Sequence, residues 1–214
     1  PAPPVGLSAD AFGDPHLVTL DGLGYSFQAV GEFALVTSGC ARDGASALPP
    51  LDAQIRTAPQ AGSEVVSVIT AVATTLGGTR LMLEAGAPPR VDDAAAAFGT
   101  VPGRMAVGDG DLYFDGTVYT VVYATGEQVV VEAFGDFLNV ATYLSAGRAV
   151  AGLLGDADGD PANDLQLRDG SVLPTAPSFA QLYGAYADAW RVTPADSLFT
   201  YAPGGGAADH TDLS

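Results

Sequence analysis

The sequence has one cysteine, no lysine and only two histidines. A lone Cys40 cannot form an internal disulfide and excludes a cysteine-based metal site, so the core has to hold without a covalent staple. Eight basic residues, all arginine, face 25 acidic ones for a net charge of −17, and so acidic a surface repels nucleic acid and anionic membranes. No run reaches the roughly 18 apolar residues that a spanning helix needs, which argues against membrane insertion. The amino terminus, Pro1-Ala2-Pro3-Pro4, lacks the basic region of a secretory signal, so any leader is expected to have been removed or to lie outside this chain. His16 and His210 are too far apart in sequence to suggest a zinc cluster, and no Ser/His/Asp arrangement or nucleotide loop is legible.

What is present is enough apolar material for one sizeable core, at 48% hydrophobic in 214 residues. The acids are mostly Asp, 20 against 5 Glu, and Asp favours turns and oxygen-ligand loops over helix interiors. Calcium is therefore the first cofactor to consider. Glycine and proline fall as punctuation between short apolar runs, the pattern of an all-β chain.

Three strands are expected at His16–Asp21, Tyr25–Ala29 and Glu32–Thr37, forming a meander, followed by a loop over 38–50. Strands near Leu51–Thr57, Val65–Thr75 and Thr79–Glu84 come next, and 85–103, with its Pro-Pro pair and alanines, reads as a loop or a single turn. Asp111–Asp115, Thr117–Ala124, Gln128–Phe134 and Phe137–Leu144 continue the rhythm, with Asp115-Gly116 as a hairpin signal. Helical spacing occurs once, at Phe179, Leu182, Tyr183 and Tyr186, leading to Trp190, with Ser178 as a candidate N-cap. The fold class is all-β: a two-sheet β-sandwich of about ten short strands with one short C-terminal helix. The organisation expected is a Pro-rich lead at 1–12, one domain at 13–200 and a Gly-rich polar tail at 201–214, in which His210 is a solvated residue.

The densest polar cluster is Asp156, Asp158, Asp160, Asn163 and Asp164, five oxygen-bearing side chains within nine residues, directly after the apolar run Val150–Leu154. Four carboxylates in one turn repel one another, and a hard divalent cation that takes oxygens from a flexible loop resolves the conflict. The Asp156, Asp158, Asp160 spacing resembles the opening of an EF-hand loop. Pro161 at its sixth position and Leu167 at its twelfth break that resemblance where the loop needs Gly and Glu. The alternative is a solvated acidic turn. Asp109, Asp111 and Asp115, which could suggest a second cation site, sit at hairpin ends where turn chemistry explains them.

Gly13-Asp14-Pro15-His16, followed by Thr19-Leu20-Asp21-Gly22 and Tyr25-Ser26-Phe27, resembles the opening of a von Willebrand factor type D domain. Gly152-Leu153-Leu154-Gly155-Asp156-Ala157-Asp158-Gly159, continuing to Asn163-Asp164, is similar to a later signature of that family, and Trp190 falls at its closing Trp. The resemblance implies one Ca2+ held by Asp21 together with Asp156, Asp158, Asn163 and Asp164, Asp160 adding its backbone carbonyl. It also implies an extracellular, secreted or cell-surface module whose partners are neighbouring domains, other copies of the same protein, surface proteins or glycans. Leu154 replaces the family's usual cysteine, which removes disulfide-linked polymers from the expectation.

The leading reading is thus a noncatalytic, calcium-stabilised structural, adhesion or assembly module. In some family members the Gly-Asp-Pro-His tetrapeptide cleaves itself, so the alternative is a self-processing module. There Asp14 would attack its own carbonyl, Pro15 would leave and His16 would donate the proton. A third reading is a calcium-dependent glycan-binding sandwich.

Overall fold

The computed structural model describes residues 1–4, 6–38, 48–63 and 65–211; Cys40 and most of the loop expected over 38–50 lie outside them. One sheet contains β1 (Gly6–Phe12), β2 (His16–Val18), β3 (Gly24–Ser26), β10 (Gly103–Val107), β11 (Gly110–Phe114), β12 (Val118–Val122), β13 (Gln128–Ala133) and β14 (Leu138–Ser145). Its order is β10-β11-β12-β13-β14-β1-β2-β3. The second sheet runs in sequence order through β4 (Gly31–Thr37), β5 (Asp52–Pro59), β6 (Ser67–Leu76), β7 (Thr79–Glu84), β8 (Arg90–Val91) and β9 (Ala94–Ala95). Apolar side chains of both sheets, among them Leu17, Phe33, Ile55, Leu112 and Val131, merge into a single core cluster, so the architecture is the expected all-β sandwich.

Four strands exceed the ten expected. Gly6–Phe12, inside the segment read as a lead, is a strand that pairs with β14 from Gly6↔Ser145 to Ala11↔Val140 and with β2 through Phe12↔His16. Arg90–Val91 and Ala94–Ala95 form a small hairpin in the stretch read as a loop, its turn made by Asp92 and Asp93 at φ 46 and 70. Gly103–Val107 adds the edge beside β11. The expected three-strand meander is corrected: β2 and β3 pair, but β4 leaves them for the other sheet, pairing with β5. All seven residues of β4 are buried, whereas β14 alternates strictly between buried and half-buried positions. A strand buried on both faces belongs inside, and one with period two has a wet face.

The outer face of the six-stranded sheet is covered over β5–β7, where residues 196–201 lie across it. Phe199, 2% exposed, packs on Ala71, Ala73 and Met82. Gln54 holds the first half of this strap, donating to the Asp196 carbonyl at 2.9 Å and accepting from Leu198 N at 3.0 Å. Beneath it Arg56 makes two hydrogen bonds to Glu32 Oε1, at 3.0 and 2.8 Å, and lies under the rings of Phe199 and Tyr201 at 4.5 and 5.5 Å. Glu32 Oε2 accepts from Tyr201 Oη at 2.5 Å and from Ser197 Oγ at 3.2 Å. Tyr201 and the 3₁₀ turn Ala207–His210 fall in the range read as a polar tail, and His210 lies 5.9 Å from the Tyr201 ring instead of standing in solvent.

Among the described residues the longest helical stretch, 179–190, is π-helical over Gln181–Tyr186 and α-helical over Ala187–Trp190. Ser178 caps it as expected: its Oγ accepts from Gln181 N at 3.3 Å while Gln181 Oε1 accepts from Ser178 N at 2.9 Å, a reciprocal capping box. Leu182, Tyr186 and Trp190 face the core, and Phe179 points outward.

Asp52, at the start of β5, is a half-buried acid whose Oδ1 is itself buried with no hydrogen-bond partner. Loss of water pushes its carboxyl up from 3.8 to about 6, a shift that the Gln54 hydrogen bond only partly opposes. A pKa raised in the folded state contributes stability that is complete below pH 3.8 and is lost as pH rises through about 6. Asp52→Asn removes this dependence. Its denaturant midpoint is expected to gain on that of the wild type as pH rises from about 4 to about 7; a constant difference across the range would refute the argument.

Candidate metal centre

Two chain segments far apart in sequence meet at the rim of the sandwich. After β2, residues 19–23 turn tightly, with Gly22 N donating to Thr19 O at 3.1 Å and Leu23 N to Thr19 Oγ1 at 2.8 Å. After β14, the apolar segment 150–154 runs along the open edge of β4: Thr37 and Ala151 exchange two 2.8 Å hydrogen bonds, and Leu153 N and Leu154 N donate to Ala34 O and Leu35 O at 3.1 Å. Leu20 N in turn donates to Leu154 O at 2.9 Å. The early turn belongs to the eight-stranded sheet and the late segment to the edge of the six-stranded one, so whatever joins them joins the two sheets.

The approach depends on glycine. A Cβ on Gly152 would lie 2.5 Å from Leu35 O, and one on Gly155 would lie 2.0 Å from Asp164 Oδ1. Ala157 at φ 63 and Gly159 at φ 95 then curl the loop back toward the turn.

Asp21, Asp156 and Asp158 each place a carboxylate oxygen within 4.8 Å of the others. Asp21 also accepts two backbone hydrogen bonds, from Asp158 N at 3.1 Å and Gly159 N at 3.0 Å, so it is the anchor around which the loop closes. Asp158 Oδ2 accepts from Asn163 Nδ2 at 2.8 Å, which turns Asn163 Oδ1 inward, where it is buried with no hydrogen-bond partner. Asp164 is 1% exposed; its Oδ2 accepts from Thr19 Oγ1 at 2.5 Å, and its Oδ1 has no hydrogen-bond partner. Burial is the largest cause that drives the Asp164 carboxyl up from 3.8 to about 6, and the charges of Asp21 and Asp156 push the same way against the Thr19 hydrogen bond.

The structure thus brings the carboxylates of Asp21, Asp156 and Asp158 together, with Asn163 hydrogen-bonded to Asp158 and Asp164 to Thr19. Asp160 is exposed: its Oδ1 caps Ala162 N at 3.0 Å, and its carbonyl accepts from Asn163 N at 3.3 Å. Two participants are not in the expected ligand set. Thr19 holds Asp164, and its signal was the Thr of Thr19-x-Asp21-Gly22. Gly155 makes room for the Asp164 carboxylate, a need that no local pattern announces. The donor set, all hard oxygens with two of them buried and without a hydrogen-bond partner, fits a divalent cation of calcium type.

Gly13-Asp14-Pro15 forms the turn between β1 and β2. Gly13, at φ 63, donates its N–H to Asn139 Oδ1 at 2.9 Å, and Pro15 O accepts from Phe27 N at 2.8 Å. His16 bridges this turn to β3, with Nε2 2.9 Å from Asp14 Oδ1 and Nδ1 3.0 Å from Ser26 Oγ. This Ser/His/Asp contact was not legible in the sequence, because Ser26 reaches His16 only through the β2–β3 register. The His16 and Asp14 side chains are 47% and 45% exposed.

The von Willebrand factor type D domain profile matches residues 9–171, most of the chain. The chain belongs to the von Willebrand factor type D domain family. Human Sushi domain-containing protein 2 is 30% identical to this D-type domain over 217 residues, covering 90% of the chain and 24% of that protein. Human IgGFc-binding protein is 30% identical over 183 residues, covering 78% of the chain and 3% of its own length. The domain therefore spans about a quarter or less of these relatives, which carry it as one part of a longer chain. No helix among the described residues is long and apolar enough to cross a membrane.

Proposed function

We propose that this D-type domain is a calcium-stapled extracellular module, serving structure, adhesion or assembly within a larger protein and working through its surface. The observation that carries the reading is the convergence of the Asp21, Asp156 and Asp158 carboxylates within 4.8 Å across the junction of the two sheets. Like charges so close favour unfolding unless a cation offsets them, and an ion bound there ties the turn after β2 to a loop more than 130 residues later. With only Cys40 available, such an ion would take the role that disulfides play in cysteine-dense secreted domains. The IgGFc-binding relative is named for a protein ligand, which is consistent with a binding or assembly role for modules of this family. Partners of this chain would be neighbouring domains or further copies.

The test is thermal unfolding of chelator-stripped protein titrated with calcium, with magnesium in parallel. Calcium is expected to raise the midpoint, by a stabilisation of about 2.7 kcal/mol at a hundredfold excess over its dissociation constant, and magnesium to raise it far less. Asp158→Ala should blunt the response. A stripped sample that metal analysis finds ion-free, and whose midpoint calcium leaves unchanged, would end the staple reading.

A further inference from the structure

Val65 and Phe179, the two most exposed large apolar side chains among the described residues at 80% and 79%, stand on one cavity. It lies where the link between β3 and β4, the start of β6 and the helical stretch meet, and its volume of about 550 Å3 is in the range of small-molecule sites. Val30, Pro59 and Val66 add to its apolar walls, and the Phe179 and Tyr183 rings stand 4.6 Å apart in it.

The polar groups on this cavity offer hydrogens. Gln28 Oε1 accepts from Ser67 N at 2.8 Å, which leaves Gln28 Nε2 as a donor with no hydrogen bond among the described residues. Ser67, 1% exposed, has an Oγ with no hydrogen-bond partner. Arg191 donates through Nη1 to Val30 O at 3.2 Å, and its contact with Asp188 is long at 3.7 Å to a side chain that is 73% exposed, so the guanidinium keeps capacity for a further acceptor. In a chain of 25 acids and eight bases, none of the described residues lining this cavity is acidic, whereas three smaller cavities carry Asp10 with Glu132, Asp109 and Asp209. The local charge therefore selects an anion against the charge of the whole. Backbone groups at the rim are already engaged: Val65 N and Val66 N donate to Ser63 Oγ, Val66 O accepts from Gln60 N, and Gln28 N donates to Tyr183 Oη. An added peptide strand would find no ladder to join there, so recognition falls to side chains. We infer that this cavity binds a free amphipathic carboxylic acid, its carboxylate against Arg191, the Gln28 amide and the Ser67 hydroxyl, its aliphatic chain among Val65, Phe179 and Tyr183. This goes beyond the structural role proposed above and does not depend on the calcium staple.

The test is isothermal titration calorimetry of the full chain with octanoate, octan-1-ol and acetate. Octanoate is expected to bind at one site per chain with a negative heat-capacity change. Octan-1-ol, which keeps the chain and lacks the charge, should bind roughly tenfold more weakly, and acetate should give no saturable heat. Gln28→Glu keeps the acceptor for Ser67 N but sets a carboxylate beside that of the ligand; it should weaken octanoate roughly tenfold and leave octan-1-ol unchanged. Phe179→Ala, at a position exposed enough to spare the fold, should weaken acid and alcohol alike by removing a wall. A thermal melt of each variant verifies that it is folded before affinities are compared. Absence of saturable octanoate heat overturns the proposal, and equal affinity for octanoate and octan-1-ol overturns its recognition of a carboxylate. Octanoate binding that is indifferent to Gln28→Glu or to Phe179→Ala moves the ligand elsewhere and overturns it as well.

Discussion

Arg56→Ala is expected to destabilise the domain by about 3–5 kcal/mol, read as the shift of the urea midpoint. The Glu32 carboxylate, 1% exposed at its side chain, would keep only the Tyr201 and Ser197 hydroxyls and would remain a buried charge without a counterion. The cost also includes packing, since the guanidinium fills the space under Phe199 and Tyr201. A control separates charge from fold: replacing the pair together, Arg56→Met with Glu32→Leu, should recover most of the loss, because the penalty belongs to the unpaired ion and not to the absence of a salt bridge. If the single substitution cost less than about 1 kcal/mol, the strap and its seat would not be the coupled unit described above.

The second large effect is expected at Gly155. Alanine there places a methyl group 2.0 Å from Asp164 Oδ1 on a backbone held at φ 81, so it meets both a steric and a conformational penalty, together about 3 kcal/mol. The displaced carboxylate carries one of the two buried oxygens without a hydrogen-bond partner, so the rise in melting temperature proposed for calcium should vanish with it. Gly159→Ala is the matched comparison, because Gly159 has φ 95 but open space around its would-be Cβ. It should cost only about 1–2 kcal/mol and keep its calcium response. Equal behaviour of the two variants would mean that backbone strain alone, and not the Asp164 pocket, governs position 155.

Much of the candidate site was legible because its chemistry is local. Five oxygen donors packed into 156–164, directly after an apolar run, mark a cation loop or a solvated acidic turn from local chemistry, whereas the distant Asp21 was named only by the resemblance to the type D family. The strands from Val118 to Ser145 were legible for the same reason, since alternation and the Asp115-Gly116 turn are properties of neighbouring residues. β1 was hidden by the prolines ahead of it and by a partner strand more than 120 residues away. The Asp92-Asp93 hairpin was hidden by strands too short to show a period.

An all-β sandwich, an acidic oxygen-rich loop, the absence of an internal disulfide and the position of the capped helix follow from composition or from spacing within a few residues. Long-range packing, by contrast, sends β4 to the other sheet, shapes the pocket of Asp164 with Thr19 and Gly155, joins His16 to Asp14 and Ser26, and closes the segment around Phe199 and Tyr201 over Arg56. Those outcomes depend on the burial of one side chain against another far along the chain. No pattern within a window of sequence encodes how much free energy such a contact returns.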